Sequence, residues 1–350
     1  MSGTVQRGSS NHGVTHIAEQ GAGSSVASLL NAMKRILPTS IKGQARQLIE
    51  PFAERRLKSL TITRDEYLKD IRVAVESGRG YAAAKIGASQ KCWMYYPIFL
   101  NRYDAVPRRA DFEKELIFHS LRQEGLFPPS PMFYLKYNQF YVEHVRNLDC
   151  LGICLRPAIE ELEIISHYGL TNKFMYYPLQ EPASTDWDCY LPSFRDKKIV
   201  IVCPFAGILQ QRARQDIFEG VWRKTGKRWF YPASVEALEF PYGFAKETHE
   251  RYPTVFDLFH EIAGRLEKCD FDVALIGAGG LAIPLASYIK SLGKVAIDLG
   301  GHLQIIFGVI GQRWRTFEHM KQNYFNEHWI DMPAVYKPRE TDVCDGGAYW

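Results

Sequence analysis

At 350 residues, with 46% hydrophobic and 23% charged residues, the chain has material for one large or two ordinary domains and a sizeable core. A formal net charge of +4, without a dense run of Lys and Arg, gives no reason to expect a nucleic-acid partner. No apolar run has the length of a membrane span, no leader pattern follows Met1, and seven scattered cysteines form no CxxC pair, so a cytoplasmic protein with reduced thiols is expected.

In chain order, residues 1–25 are rich in Gly, Ser, Thr and His and read as a disordered tail. Residues 26–80 read as a helical N-terminal region. "SVASLLNAMKRIL" sets Val26, Leu29, Leu30, Met33 and Leu37 on one helical face with Lys34 and Arg35 off it, a helix docking on the core or making a peripheral membrane contact. "TRDE" at Thr63 has capping-box form, with Glu66 three residues on, and the apolar stripe Tyr67, Leu68, Ile71, Val75 ends before Gly78. From Tyr81 to Trp350 an α/β domain is expected. "GYAAAKI" reads as a short buried strand and "GASQ" as the turn leaving it. Helical patterns follow at Asp111–Glu124, Tyr137–Asp149 and Pro157–His167. "IVIVCPF" is an unbroken β-branched run of the kind found in buried parallel strands, and a helix follows Gly207. Tyr231 to Pro241 gives no regular pattern. "TVFDLFHEIAGRLEKC" is an amphipathic helix through Val255, Leu258, Phe259, Ile262 and Leu266. Alternating strands and helices imply a mainly parallel, Rossmann-like sheet flanked by helices, with strands at Ile199–Cys203, Val273–Ile276 and Val295–Leu299.

The chemistry concentrates in "FDVALIGAGGLAIPLASYIKSLGKVAIDLGGHLQIIFG", Phe271 to Gly308: strand, glycine turn, helix, strand, second glycine turn. Gly277, Gly279 and Gly280 let the backbone turn sharply before a helix whose free amides suit a phosphate. With Ala282 third, the spacing fits G-x-G-x-x-A, and Asp298 closes the next strand about twenty residues on, where it suits a ribose hydroxyl. A plain strand-to-helix connector fits the same residues. The fingerprint ordinarily opens a dinucleotide domain, whereas here about fifty residues remain after it, which argues against a nicotinamide cofactor. Gly300, Gly301 and His302 end the second strand, where open α/β sheets bind ligands. Arg313 and Trp314 in "GQRW" suit a phosphate clamp and a stacking platform, or equally a solvated Arg and a core Trp.

"LIGAGGLAIPLASYIKSLGKVAIDLGGHLQIIFGVIGQRW", with "IVIVCPFAGILQQ", "YFNEHW" and "GGAYW", resembles a polysaccharide-biosynthesis-associated family similar to the GT-D-type glycosyltransferases. These are sugar-nucleotide-dependent enzymes with a Rossmann-like sheet. The resemblance runs from about Tyr81 to Trp350 and is strongest after Asp270. It implies a nucleotide-sugar donor and a saccharide or lipid-linked acceptor. In that family an early strand ends in an Arg-x-Gly-Asp-Gly-Glu motif whose acids hold a divalent metal such as manganese. The matching stretch here is "KIGASQ": Lys85 stands for the Arg and Gly87 matches, but Ala88 and Gln90 replace the acids. No metal or other cofactor is therefore expected, unless Glu160 and Glu161, or Asp186 and Asp188, supply carboxylates from another loop.

The resemblance gives Asp298 or His302 as the base and Lys85 and Arg313 as charges on the departing diphosphate. Gly277, Gly279, Gly280, Gly300, Gly301, Arg313, Trp314 and Gln90 would bind the donor. A non-catalytic sugar-nucleotide or glycan-binding protein and a nicotinamide-dependent oxidoreductase are the alternatives.

Overall fold

The structure, a computed structural model, describes residues 39–101, 106–176, 189–339 and 347–350. The expected tail 1–25, the amphipathic segment 26–37, and Asp186 with Asp188 lie outside the described residues. The chain divides into two compact units, Met1–Ala53 and Glu54–Trp350. Of the first, the leading part of the helix Thr39–Lys58 is described; the strands and their crossover helices belong to the second.

Seven strands form one parallel sheet: β1 (Tyr81–Lys85), β2 (Cys150–Ile153), β3 (Lys173–Tyr176), β4 (Lys198–Val202), β5 (Ser234–Leu238), β6 (Val273–Ile276) and β7 (Val295–Asp298), in the order β3-β2-β1-β7-β6-β4-β5. Parallel pairing requires crossovers, and helices supply them on both faces, so the central strands β1, β6 and β7 are apolar up to Lys85 and Asp298, which end β1 and β7. All four residues of β6 and of β7 are buried. The alternation of side chains then separates two jobs. Ile199, Ile201, Val273, Leu275, Val295 and Ile297 join one core with Tyr67, Ile71 and Phe194. The other face of the central strands carries small residues in register, Ala82 beside Ala296 and Ala274 beside Ala296. The helix Ala282–Ser291 packs over β1 and β7 on that face, where short side chains allow a close approach.

Local chemistry sets the helix ends as expected. Thr63 and Glu66 form the reciprocal capping box of the helix Arg64–Ser77, and Gly78 stops it in the left-handed region at φ 63°. Thr254 and Asp257 form a second box at the helix Val255–Leu266, whose Val255, Leu258, Phe259, Ile262 and Leu266 are all buried. The three strands expected after Lys198 are present and parallel. The irregular stretch after Tyr231 contains the edge strand β5, and the helix expected after Gly207 is two, Ala206–Arg212 and Gln215–Val221. A short parallel pair, β8 (Val309–Ile310) and β9 (Ile330–Asp331), lies apart from the main sheet. Among the described residues no helix is long and apolar enough to cross a membrane.

Candidate functional site

Strand order reverses between β1 and β7: the chain runs outward through β2 and β3, then returns from the far side through β6 to β7. Loops at the carboxyl ends of strands diverge at such a point and leave a crevice. A cavity of about 460 Å³ is lined there by Lys85 ending β1, Gly277 just past β6, and Asp298 ending β7, together with Pro204 past β4 and Cys154 past β2. That volume lies in the range of small-molecule sites. Its polar wall carries Lys85, Ser89, Gln90, Glu124, Asp298 and Arg313. Its apolar wall carries Phe205, Phe240, Tyr242, Phe244 and Tyr349.

Lys85 and Asp298 stand at the ends of adjacent strands and are both buried. Lys85 Nζ donates to the Leu299 carbonyl (3.4 Å). Asp298 accepts the Gly300 N–H (2.9 Å). Burial pushes the Asp298 carboxyl above the usual range, against the pull of the Lys85 ammonium and the N–H groups of Gly300 and Lys85. Gly300 is required by this packing: its φ is +50°, and a Cβ there would stand 2.6 Å from Lys85 Nζ. The stretch Lys85–Gln90 and the glycine turns, nearly two hundred residues apart in sequence, therefore line one cleft.

Gly279 and Gly280 are constrained differently. The Gly280 N–H donates to the Glu124 carbonyl (2.9 Å), the Gly277 N–H to that of Val202 (2.9 Å) and the Leu281 N–H to that of Ala278 (3.0 Å). Three amides expected to meet a phosphate are thus engaged within the protein, and Ala278 and Gly279 remain as the donors of this turn. A Cβ on Gly279, at φ +52°, would come 2.9 Å from the Glu124 carbonyl, and one on Gly280 would meet Leu126 at 2.5 Å. The Gly280 carbonyl in turn accepts from Tyr137 Oη (2.7 Å). Gly280 is a packing glycine and does not line the cavity.

Nor do His302 and Trp314. His302 opens the helix His302–Ile306, and its ring meets buried Trp314 edge-on at 4.8 Å. Arg313 does line the cavity, with its guanidinium over the Tyr349 ring at 5.5 Å, and the Arg313 N–H holds the Ala348 carbonyl (3.2 Å). Tyr349 thus occupies the aromatic place beside Arg313 for which the sequence suggested Trp314. A Cβ on Gly301 would meet Tyr349 at 3.3 Å and Arg313 at 3.4 Å, both movable side chains.

Glu124 is the carboxylate that sequence reasoning passed over. It follows a π-helical turn, His119–Gln123, that extends the helix Val106–Phe118. Ser89 Oγ donates to its Oε1, and Gln90 Nε2 donates to its Oε2 (3.3 Å) and to the Gly279 carbonyl (3.4 Å). Burial raises the Glu124 carboxyl to about 7, with nearby Asp298 pushing the same way and Ser89, Gln90 and Lys85 opposing. A signal was present in "RQEGLFPP": an acid at the end of a helical pattern, followed by Gly125 at φ +69°.

The residues here do not fit the divalent metal that the sequence resemblance implies. Ala88 has no donor atom, and Gln90 Oε1 already accepts the Gly87 N–H (2.7 Å). Asp298 is held by an ammonium and two amides, and both oxygens of Glu124 accept hydrogen bonds. Glu161 is committed to Lys91 (2.7 Å) and to the Cys154 N–H (3.0 Å). Among the described residues no group of three or more His, Cys, Asp or Glu is placed to hold a metal ion. A hard cation prefers several carboxylate oxygens, and the positive charge at the end of β1 is an ammonium instead.

Residues 254–306 match a family described as a GT-D fold-like domain. No curated protein and no solved structure matches the chain. The matched segment runs from the helix Val255–Leu266 through β6, the glycine turn and β7 to the second turn, and it contributes Gly277, Gly279, Asp298, Gly300 and Gly301 to the cavity. Over that segment the chain resembles the GT-D-type glycosyltransferases.

Proposed function

We propose that the chain is a glycosyltransferase that moves a sugar from a nucleotide-sugar donor to a saccharide or lipid-linked acceptor in polysaccharide biosynthesis. The observation that carries this reading is the cavity at the β1–β7 reversal, which combines cationic Lys85 and Arg313, buried carboxyls and an aromatic wall beside the segment 254–306 that matches the GT-D fold-like domain. A departing nucleoside diphosphate gains negative charge as the glycosidic bond breaks, and fixed positive charge in a site screened from water stabilises it. Lys85 and Arg313 take that role. Tyr349 beside Arg313 offers a face to the base or a sugar ring. Asp298, buried at the cavity wall, sets its charge beside the Lys85 ammonium.

A thermal-shift panel of nucleotide sugars and nicotinamide dinucleotides, with and without manganese, tests this. A bound ligand raises the melting temperature by mass action. Nucleotide sugars are expected to shift it without manganese; a shift from nicotinamide dinucleotides alone would favour the oxidoreductase. Replacement of the acids at Ala88 and Gln90, with the Gln90 carbonyl already engaged, favours a second reading, a non-catalytic sugar-nucleotide or glycan-binding protein. Binding without release of nucleoside diphosphate would select it.

A further inference from the structure

Glycosyl transfer needs a group to take the proton of the attacking hydroxyl. Of the two side chains the sequence offered, His302 is turned against Trp314 outside the cavity lining, and Asp298, though at the cavity wall, is 1% exposed and bonded to the Gly300 amide. We infer that Glu124 is the proton acceptor of this cleft. The inference rests on the glycosyl-transfer reading.

Three features place Glu124 in that role. Its backbone is pinned, because its carbonyl accepts the Gly280 N–H (2.9 Å). The following Gly125 crosses Gly243 so closely that a Cβ on Gly243 would lie 2.1 Å from the Gly125 carbonyl oxygen. No other residue fits that crossing, and it fixes the loop against the segment bearing Tyr242 and Phe244. The carboxylate is then held oxygen by oxygen, from Ser89 and Gln90. These two residues end the stretch that carries two acids in the related enzymes. Gln90, in the place of the second acid, turns its amide to a carboxylate delivered by a different loop. A base held on rigid neighbours loses little entropy on reaching the reacting geometry.

The surroundings suit a group that changes protonation near neutral pH. Lys85 on β1 favours its charged form and Asp298 on β7 its neutral form. Cys92 on the helix Gln90–Leu100, and Tyr137 and Tyr141 on the helix Pro131–Arg146, also feel its charge, and all three are themselves pushed up by burial. Arg313 lines the same cavity. In the step, the acceptor oxygen forms a bond to the anomeric carbon as the bond from that carbon to the diphosphate oxygen breaks. The hydroxyl proton passes to a Glu124 carboxylate oxygen. The electron pair of the broken bond leaves on the diphosphate, against Lys85 and Arg313. Water can replace the acceptor, giving slow hydrolysis by the same transfer of a proton.

The test uses the full chain with UDP-glucose, UDP-N-acetylglucosamine and GDP-mannose, reading donor binding by thermal shift and turnover by release of nucleoside diphosphate. Glu124→Gln should keep the thermal shift of the wild type while release falls about 100-fold or more. In the wild type, release should decline as pH drops through about 7, and Glu124→Gln should lack that limb. The Ser89 hydrogen bond favours the charged carboxylate, so Ser89→Ala should move the limb to higher pH. Glu124→Gln with wild-type release and an unchanged limb would overturn the inference and leave the glycosyl-transfer reading standing. Wild-type protein that no nucleotide sugar stabilises would overturn that reading, and the inference with it. Loss of release to a chelator, restored by manganese, together with loss of manganese binding in Glu124→Gln, would make Glu124 a metal ligand and overturn its role as base.

Discussion

The two glycine turns of this molecule look alike in sequence and are built for different purposes. The first, Gly277 to Gly280, lacks side chains at Gly279 and Gly280 because the loop around Glu124 and Leu126 lies against it. The second, Gly300 and Gly301, lacks them because Lys85, Arg313 and Tyr349 do. One is packed by backbone and core, the other by the movable ends of side chains that line the cavity. A glycine run at a strand end marks a close approach, and only the tertiary structure says what approaches.

Substitutions can break or sharpen this contrast. Gly279→Val would put a branched side chain at a positive φ and against a carbonyl that cannot yield, so a stability loss of about 3 kcal/mol or more is expected in urea denaturation. Nucleotide-sugar affinity should survive in the protein that remains folded. A stable Gly279→Val variant that no longer binds donor would show that the first turn cradles phosphate directly.

Lys85→Met keeps the bulk under Gly300 and removes the charge. Release of nucleoside diphosphate should fall on the order of 100-fold, with a smaller change in donor affinity, because the ammonium matters most as charge develops. Unchanged turnover would separate the second turn from the chemistry.

A third effect concerns pH and needs no ligand. Glu124 holds its proton up to about pH 7 when folded, against 4.5 for an unperturbed glutamate. The folded state therefore binds more protons across that interval, so this contribution to stability is full below about pH 4.5 and is lost as pH rises to 7. Its size is roughly 3 kcal/mol. Glu124→Gln should flatten the fall in denaturation free energy between pH 4.5 and 7.5 by about that amount. Asp298, raised in the same direction, should keep a residual slope. An identical pH profile in the variant would mean that Glu124 titrates normally.

The smallest effect is expected at Gly301→Ala. Its new methyl would meet only Tyr349 and Arg313, which can shift by a few tenths of an ångström. Stability should change by less than about 1 kcal/mol, and donor affinity by a few-fold, read by denaturation and thermal shift. A large loss of stability would put the two turns in one class.

Much of the α/β architecture was legible because its signals are local. The capping box at Thr63, the stripe of Val255–Leu266 and the β-branched run at Ile199 each act within one or two helical turns or along one strand. The strands of the main sheet that were missed were β2, β3 and β5. The first two have only four residues each, and β3 and β5 are edge strands with exposed positions, so neither length nor alternation sets them apart. The candidate site was legible in its glycines, in Lys85 and Asp298, and in Arg313. Glu124 and the placement of Tyr349 were not, because no local pattern ties a loop acid to a turn some thirty residues earlier.

By itself the amino-acid sequence determined a parallel α/β sheet and the glycine turns that follow β6 and β7. These follow from side-chain periodicity and the conformational freedom of glycine, which depend on near neighbours alone. Tertiary structure decided that β1 inserts beside β7, that Lys85 comes to lie beneath Gly300, and that a loop carboxylate is held by Ser89 and Gln90. Strand order in a parallel sheet is chosen by how helices of different bulk cover its two faces. Here the small residues of β1, β6 and β7 received the helix Ala282–Ser291, and that choice is a property of the packed whole.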